Sequence, residues 1–397
     1  MRKISPMRMV VLVGLYGFAA NLVHPIEPTI YKNLNFPDYM FGVAFACMAL
    51  TNFAFSPFWG RLCDRYGSGR VMGLCFFGYS ASQYLFGICT TEWTLSLARV
   101  LAGVFISAIS VGQLIYVMRY SPPEKTADNL MYMATAHAVT APLGYLVGGF
   151  LGDRTIFGTV LAQVICLILL GLLFLLLLDD ECQPMEVLDR RSLLREINPL
   201  KSFGQIRPFL NGFLVVFFTI SMLTKFASVC YDQSFNYLIK AEYGFPASYN
   251  GMLKALVGVV ALISNFTLCR WLLHHTDSLK STIFILAVQM IMSAGVAVLT
   301  DFGAFIVLNV VFFGLNAVYL PLLQATLTRV ADRENSGIFA GMFNAVQALG
   351  NIGGSLAAGF VYAISWRLPF VLTAVLFTLT VLLAVVNLRQ KKMYPHM

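Results

Sequence analysis

Seven ionisable side chains lie inside long, mainly apolar stretches of this chain: His24, Glu27, Arg99, His137, Lys225, Asp232 and Lys254. A charge held in hydrocarbon is expensive, so such residues mark proton relays, ion pairs or solute contacts. His24 and Glu27 stand at i and i+3 and share a helix face, and Pro25 and Pro28 loosen the backbone around them. An imidazole beside a carboxyl handles protons. Burial and a nearby cation such as Arg99 act in opposite directions on a carboxyl's hold on its proton, so Glu27 can switch protonation as its surroundings change. If Glu27 instead lies at the end of its helix, it is simply solvated. Lys225 and Asp232 are seven residues apart on one helix face, about 10 Å along the axis. They read either as a buried pair or clamp on a charged solute, or as a snorkelling lysine with an acid at the mouth. His137 suits a hydrogen bond between helices, and Lys254 a snorkelling or mouth position.

Bond-making chemistry has no support. The chain lacks a Gly-x-x-x-x-Gly-Lys-Ser/Thr phosphate loop and a His-Glu-x-x-His element, and His274-His275-Thr276-Asp277 has no metal-ligand spacing. Eight cysteines form no Cys-x-x-Cys pair and lie mostly in apolar runs, which argues against a disulfide framework or a zinc site. The net charge of +8 is not gathered into one patch, so nucleic acid is not an expected partner. Neither an enzyme, a cofactor nor a metal centre is indicated.

The elements that hold these residues are set by composition: 58% hydrophobic and 12% charged residues, with 33 Phe in 397 positions. The mean hydropathy of +0.75 belongs to a membrane protein. A spanning helix needs roughly 20 mainly apolar residues. On that measure the chain divides into twelve segments, at about 9–30, 40–59, 71–90, 93–118, 130–151, 156–178, 208–238, 248–269, 281–300, 303–328, 337–363 and 368–388. The first is too long for a signal-peptide core and has no small-residue cleavage site, so it counts as a span.

Loop charges orient the chain. The tails and even-numbered connections hold 20 of the 27 Lys and Arg, against four (Lys32, Arg154, Lys240, Arg367) in the odd-numbered connections. Both termini are therefore expected in the cytoplasm. The one long hydrophilic connection separates residues 1–178 from 208–397 and reads as a cytoplasmic linker, 179–207, between two six-helix bundles. The halves repeat in parallel. Gly144-Tyr145-Leu146-Val147-Gly148-Gly149-Phe150 aligns with Gly354-Ser355-Leu356-Ala357-Ala358-Gly359-Phe360 at an offset of 210. Phe36-Pro37 with Gly42 recurs as Phe245-Pro246 with Gly251 at an offset of 209, which also pairs His24 and Glu27 with Gln233 and Asn236. Such parallel repeats belong to carriers with a site near the midplane.

Between segments 2 and 3 stands Gly60-Arg61-Leu62-Cys63-Asp64-Arg65-Tyr66-Gly67-Ser68-Gly69-Arg70. Its Gly-x-Leu-x-Asp-Arg-x-Gly pattern resembles the loop between helices 2 and 3 of the major facilitator superfamily of secondary transporters. Arg99-Val100-Leu101-Ala102-Gly103 fits the family's Arg-x-x-x-Gly pattern in helix 4. Gly144-Tyr145-Leu146-Val147-Gly148-Gly149 resembles its antiporter signature, with Tyr145 where that signature has proline. The resemblance covers essentially the whole chain, and the compact form is similar to the drug:proton antiporters.

It implies an all-α integral membrane protein of twelve transmembrane helices in two pseudo-symmetric six-helix bundles, monomeric and in the plasma membrane. Helices 1, 4, 7 and 10 would line a central cavity and place His24, Glu27, Arg99, Lys225, Asp232, Gln233 and Asn236 at or near it. Glu27 is the candidate proton-coupling group. Gly60, Asp64, Arg65, Gly67 and Arg70 would form a gating loop, with Gly60 and Gly67 allowing tight backbone paths and Asp64 accepting from Arg65, Arg70 or a neighbouring helix end. The second-half counterpart, Arg270 to Lys280, has Arg270 opposite Gly60 and His274 opposite Asp64, so that latch is not duplicated. The expected partners are a small-molecule solute, protons and the lipid bilayer, with the proton gradient as the energy source and no cofactor. Export of a drug or metabolite is the leading reading. Tyr145 and the excess of intramembrane cations keep open uptake of a small organic anion by symport or facilitation, and a non-transporting membrane sensor is the third possibility.

Overall fold

The structure is a computed structural model and describes residues 6–178, 201–299, 301–330 and 336–393. Twelve stretches of helix in it are of membrane length. Span 1 comprises Pro6–Ala20, a 3-10 turn at His24–Ile26 and Glu27–Asn33. Spans 2 to 6 are Met40–Tyr66, Ser68–Gly87, Glu92–Tyr120, Thr126–Arg154 and Ile156–Leu177. Spans 7 to 12 are Gly212–Ala241, Ala247–His275, Ser278–Val298, Phe302–Val330, Ser336–Ile364 and Leu368–Met393. Ten of these are also apolar enough to cross a membrane; Ser68–Gly87 and Ser336–Ile364 are diluted by their Gly, Ser, Asn and Gln. Most of the expected linker, residues 179–200, lies outside the described residues, and its end forms the short helix Lys201–Ile206 and a turn at Arg207–Phe209.

Charged residues that mark the end of a bilayer span do not end a helix. Span 2 continues seven residues beyond its expected limit through Arg61, Asp64 and Arg65 to Tyr66, and span 3 begins at Ser68. The stretch from Gly60 to Arg70 is therefore two helix ends around a single glycine. Gly67 has φ +90° and ψ 134°, a conformation that only glycine adopts at low cost. Gly60 is ordinary by comparison: a Cβ there would sit 3.6 Å from Val111 Cγ1, a normal contact.

Span 1 breaks at residues 21–23 because Pro25 has no N–H for the Asn21 carbonyl, and its ring clashes with that carbonyl. The break leaves the carbonyls of Ala19 and Ala20 short of helical donors. Gln163 of span 6, 1% exposed, reaches across and donates Nε2 to both, at 3.0 and 2.9 Å. In a bilayer, where water cannot serve, such a donor is required to keep a broken helix.

The chain divides into two compact units. Unit 1 is Met1–Phe36, Cys47–Pro199 and Ile239–Gly258, and unit 2 is Pro37–Ala46, Leu200–Leu238 and Val259–Met397. In unit 1, span 3 packs on spans 4 and 6, and span 1 on span 5, around a core that includes Tyr16, Met72, Phe76, Tyr79, Ile109 and Phe174. Span 5 approaches span 1 backbone to backbone: a Cβ at Gly144 or Gly148 would overlap the carbonyl oxygen of Phe18 or Leu22. In unit 2, span 9 packs on spans 10 and 12, and the core includes Phe217, Phe218, Leu322, Leu323 and Phe343. There Gly350 and Gly354 meet the carbonyls of Met222 and Phe226 on span 7 in the same way. Small residues at both crossings let backbones touch, which is how helices associate where no hydrophobic force separates protein from lipid.

Each unit is completed by a short segment contributed by the other half of the sequence. In unit 2, Gly42 lies against Ser355 and Gly359 of span 11, and Tyr237 Oη donates to Asp38 Oδ1 at 2.6 Å. In unit 1, Gly251 lies against Tyr145 and Gly149 of span 5, and both Asp153 carboxylate oxygens lie 3.3 Å from the Ser248 backbone N–H in the first turn of span 8. A carboxylate at a helix N-terminus is favourable for the orphan donors and the dipole alike.

Candidate functional site

The break in span 1 brings three of the intramembrane charges of unit 1 together. Glu27 opens the short helix that follows the 3-10 turn, and His24 opens the turn itself. His24 Nδ1 lies 2.6 Å from Glu27 Oε1, and Arg99 Nη2 of span 4 lies 2.8 Å from the same oxygen. The Arg99 contact is a close ion pair whose N–H points off the line of a directed hydrogen bond. Tyr31 lies beside Arg99, whose guanidinium carbon sits 4.0 Å from the centre of the Phe86 ring on span 3, a cation–π contact. His24 stacks on Tyr145 of span 5, with ring centres 5.6 Å apart and planes 24° apart. Side-chain exposure falls inward along the chain of contacts, from 22% at His24 through 12% at Glu27 to 3% at Arg99.

The electrostatics follow from that burial. A guanidinium keeps its proton under all ordinary conditions, so Arg99 requires a counter-charge where it stands. Glu27 supplies it, and removing one partner of such a buried pair costs about 3–5 kcal/mol because the other is left uncompensated. Arg99 is thus engaged by Glu27, Tyr31 and Phe86, and the cation excess counted along the sequence loses its most buried member to an internal pair.

The other sequence candidates are not gathered into this network. His137 lies beside Tyr16, ring centres 6.0 Å apart, at the crossing of spans 5 and 1. Lys254 is buried in span 8, within unit 1. Lys225, Asp232, Gln233 and Asn236 all lie on span 7 in unit 2 and are half-buried. At the repeat offset of 210 Arg99 corresponds to Asn309 of span 10, whose Oδ1 accepts from Tyr231 Oη of span 7 at 2.8 Å. The crossing of spans 7 and 10 therefore keeps a neutral hydrogen bond where that of spans 1 and 4 has an ion pair.

At the turn between spans 2 and 3, Asp64 Oδ1 accepts from Arg119 Nη2 at the end of span 4, at 2.8 Å. The partner is a neighbouring helix end, as one of the sequence alternatives had it. Arg65 stacks over the ring of Tyr66, 5.2 Å from its centre, and Arg70 is exposed.

Sequence reasoning missed Tyr31, Phe86 and Gln163. Gln163 carried a usable signal, a glutamine within the most apolar span of the chain. Tyr31 and Phe86 carried none, since aromatic residues occur in every span.

Residues 9–354 match the Major Facilitator Superfamily. The chain is 26% identical over 377 residues to multidrug resistance protein 1 of Bacillus subtilis (strain 168), covering 92% of this chain and 91% of that protein. It is 24% identical over 369 residues to the class C tetracycline resistance protein of Escherichia coli, covering 90% of each. Among solved structures, the nucleoside transporter NupG superposes with a TM-score of 0.75 at 13% identity, covering 98% of this chain and 99% of that one.

Proposed function

This chain belongs to the Major Facilitator Superfamily and is a multi-pass membrane transporter of small-molecule solutes rather than an enzyme, and from that premise we propose that it exports an organic solute in exchange for protons. The observation that carries this reading is the buried network of His24, Glu27 and Arg99 in span 1 and span 4. Titratable groups held in a membrane span need a reason to be there, and proton coupling is one that uses a histidine and a carboxylate side by side. The printed names of the relatives, multidrug resistance and tetracycline resistance proteins, support export. The proton gradient supplies the energy, with no cofactor, and the protein acts as a monomer in the plasma membrane with both termini in the cytoplasm. Lys225, Asp232, Gln233 and Asn236 are the second half's contribution to solute contact. The uptake alternative is less well supported, because Arg99 is committed to Glu27 and not available to an anionic solute.

Proteoliposomes under an imposed pH gradient test the proposal, with tetracycline and ethidium as probe solutes and an entrapped pH dye. Solute movement with opposite proton movement is expected, and Glu27→Gln should reduce the gradient-driven component at least about tenfold, the equivalent of ~1.4 kcal/mol. Gradient-driven flux that survives Glu27→Gln unchanged would remove Glu27 from the coupling centre.

A further inference from the structure

Within that centre, we infer that the side chain which takes up and releases the transported proton is His24, with Glu27 remaining a carboxylate throughout as the fixed counter-charge of Arg99. The inference rests on the proton-coupled reading above and assigns its working group.

Three observations separate the two residues. Glu27 Oε1 already receives Arg99 Nη2 at 2.8 Å and His24 Nδ1 at 2.6 Å. A proton added to that carboxylate would strip the counter-charge from a guanidinium whose side chain is 3% exposed and which lies against the Phe86 ring. His24 has the most exposed side chain of the three, at 22% against 12% for Glu27 and 3% for Arg99, so it is the one open to proton exchange with its surroundings. Finally, a carboxylate oxygen 2.6 Å from Nδ1 assigns that nitrogen's proton, which leaves the lone pair of neutral His24 on Nε2, and Nε2 has no hydrogen-bond partner among the described residues.

The step is a plain protonation. Nε2 takes a proton from water on one side of the membrane, giving an imidazolium with N–H on both nitrogens, and returns it to water on the other. Nδ1–H stays on Glu27, and no other bond changes. The positive ring so formed lies against the face of Tyr145, a geometry that favours a cation. The charged and titratable groups that face this centre are Glu27 and Tyr31 of span 1, Arg99 of span 4, Tyr79 of span 3, Cys89 just after span 3 and Tyr145 of span 5. Of these, Glu27 and Arg99 cancel one another. Tyr145 occupies the position of the antiporter proline, so the departure of this sequence from the family pattern falls on the residue that cradles His24.

Infrared difference spectra between about pH 5 and 8, recorded on the full-length protein in lipid nanodiscs with 13C-labelled histidine, decide the matter without knowledge of the solute. The expected result is an imidazole protonation band that wild type has and His24→Asn lacks, that Glu27→Gln retains, and no carbonyl stretch of a neutral carboxylic acid attributable to Glu27. A neutral-carboxyl band that disappears in Glu27→Gln would overturn the inference while leaving coupled export standing. Identical imidazole titrations in wild type and His24→Asn would overturn it as well. The carboxyl arm compares only wild type and Glu27→Gln, so it holds even if His24→Asn fails to fold. If wild-type vesicles move solute without moving protons, the coupled-export reading and this assignment fall together.

Discussion

Arg99 concentrates the energetic risk of the first half. It is the most deeply buried cation of the His24 network and owes its stability to one carboxylate. Glu27→Leu alone should therefore lower stability by about 3–5 kcal/mol, read as a fall in Tm of the purified protein. The double variant Glu27→Leu with Arg99→Leu should recover most of that loss, since replacing a whole buried pair by apolar groups is close to neutral. It should still lack gradient-driven flux. Gln163→Leu is a second residue-level case: it orphans the carbonyl of Ala20 and leaves that of Ala19 only a long bond from the Leu22 N–H, at a cost of about 1–3 kcal/mol, again checked by Tm. The adjacency of His24 and Glu27 was legible from their spacing. The engagement of Arg99 by Glu27 has no local signal, because residues so far apart in sequence meet solely by the packing of span 4 on span 1. The roles of Tyr31 and Phe86 had no sequence signal at all.

At the scale of elements, positive φ and close backbone approach decide more than charge does. Gly67 alone separates spans 2 and 3, so Gly67→Ala should cost of order 1–3 kcal/mol through backbone strain, visible in Tm, whereas Gly60→Ala should be nearly silent. The same comparison corrects the equal weight that the motif gives its two glycines. Asp64 and Arg119 remain partly exposed, with side chains at 40% and 25%, so their pair contributes only about 0.2–1 kcal/mol. Asp64→Asn should accordingly alter the rate of solute exchange in vesicles and leave the solute Kd unchanged. The helical extent of the stretch was misjudged from sequence for a definite reason. Hydropathy locates the edge of the bilayer, and a helix ends where its hydrogen bonds fail, here seven residues later.

For the whole molecule, the distribution of Lys and Arg predicts the orientation, and accessibility can check it. A cysteine at Arg270, in the last turns of span 8 next to an even-numbered connection, should react with impermeant thiol reagents only from the cytoplasmic side, and one at Thr90, on an odd-numbered connection, only from outside. Both positions are exposed and most native cysteines are buried or half-buried, so labelling of intact cells against inverted vesicles reads the topology directly.

The number of spans, their order, the parallel repeat and the transporter family could all be read from the linear chain, because apolar length, loop charge and motif spacing are local properties. Tertiary structure alone decided that span 1 breaks and is mended by Gln163, that Arg99 is spent on Glu27, and that the second half answers with the neutral pair of Tyr231 and Asn309. It also decided what the stretch from Gly60 to Arg70 is: two helix ends joined at Gly67 and tied by Asp64 to Arg119. These are choices of partner, and in a chain where every span is apolar no local pattern says which helix face meets which. Distance between side chains settles that, and distance exists only after packing.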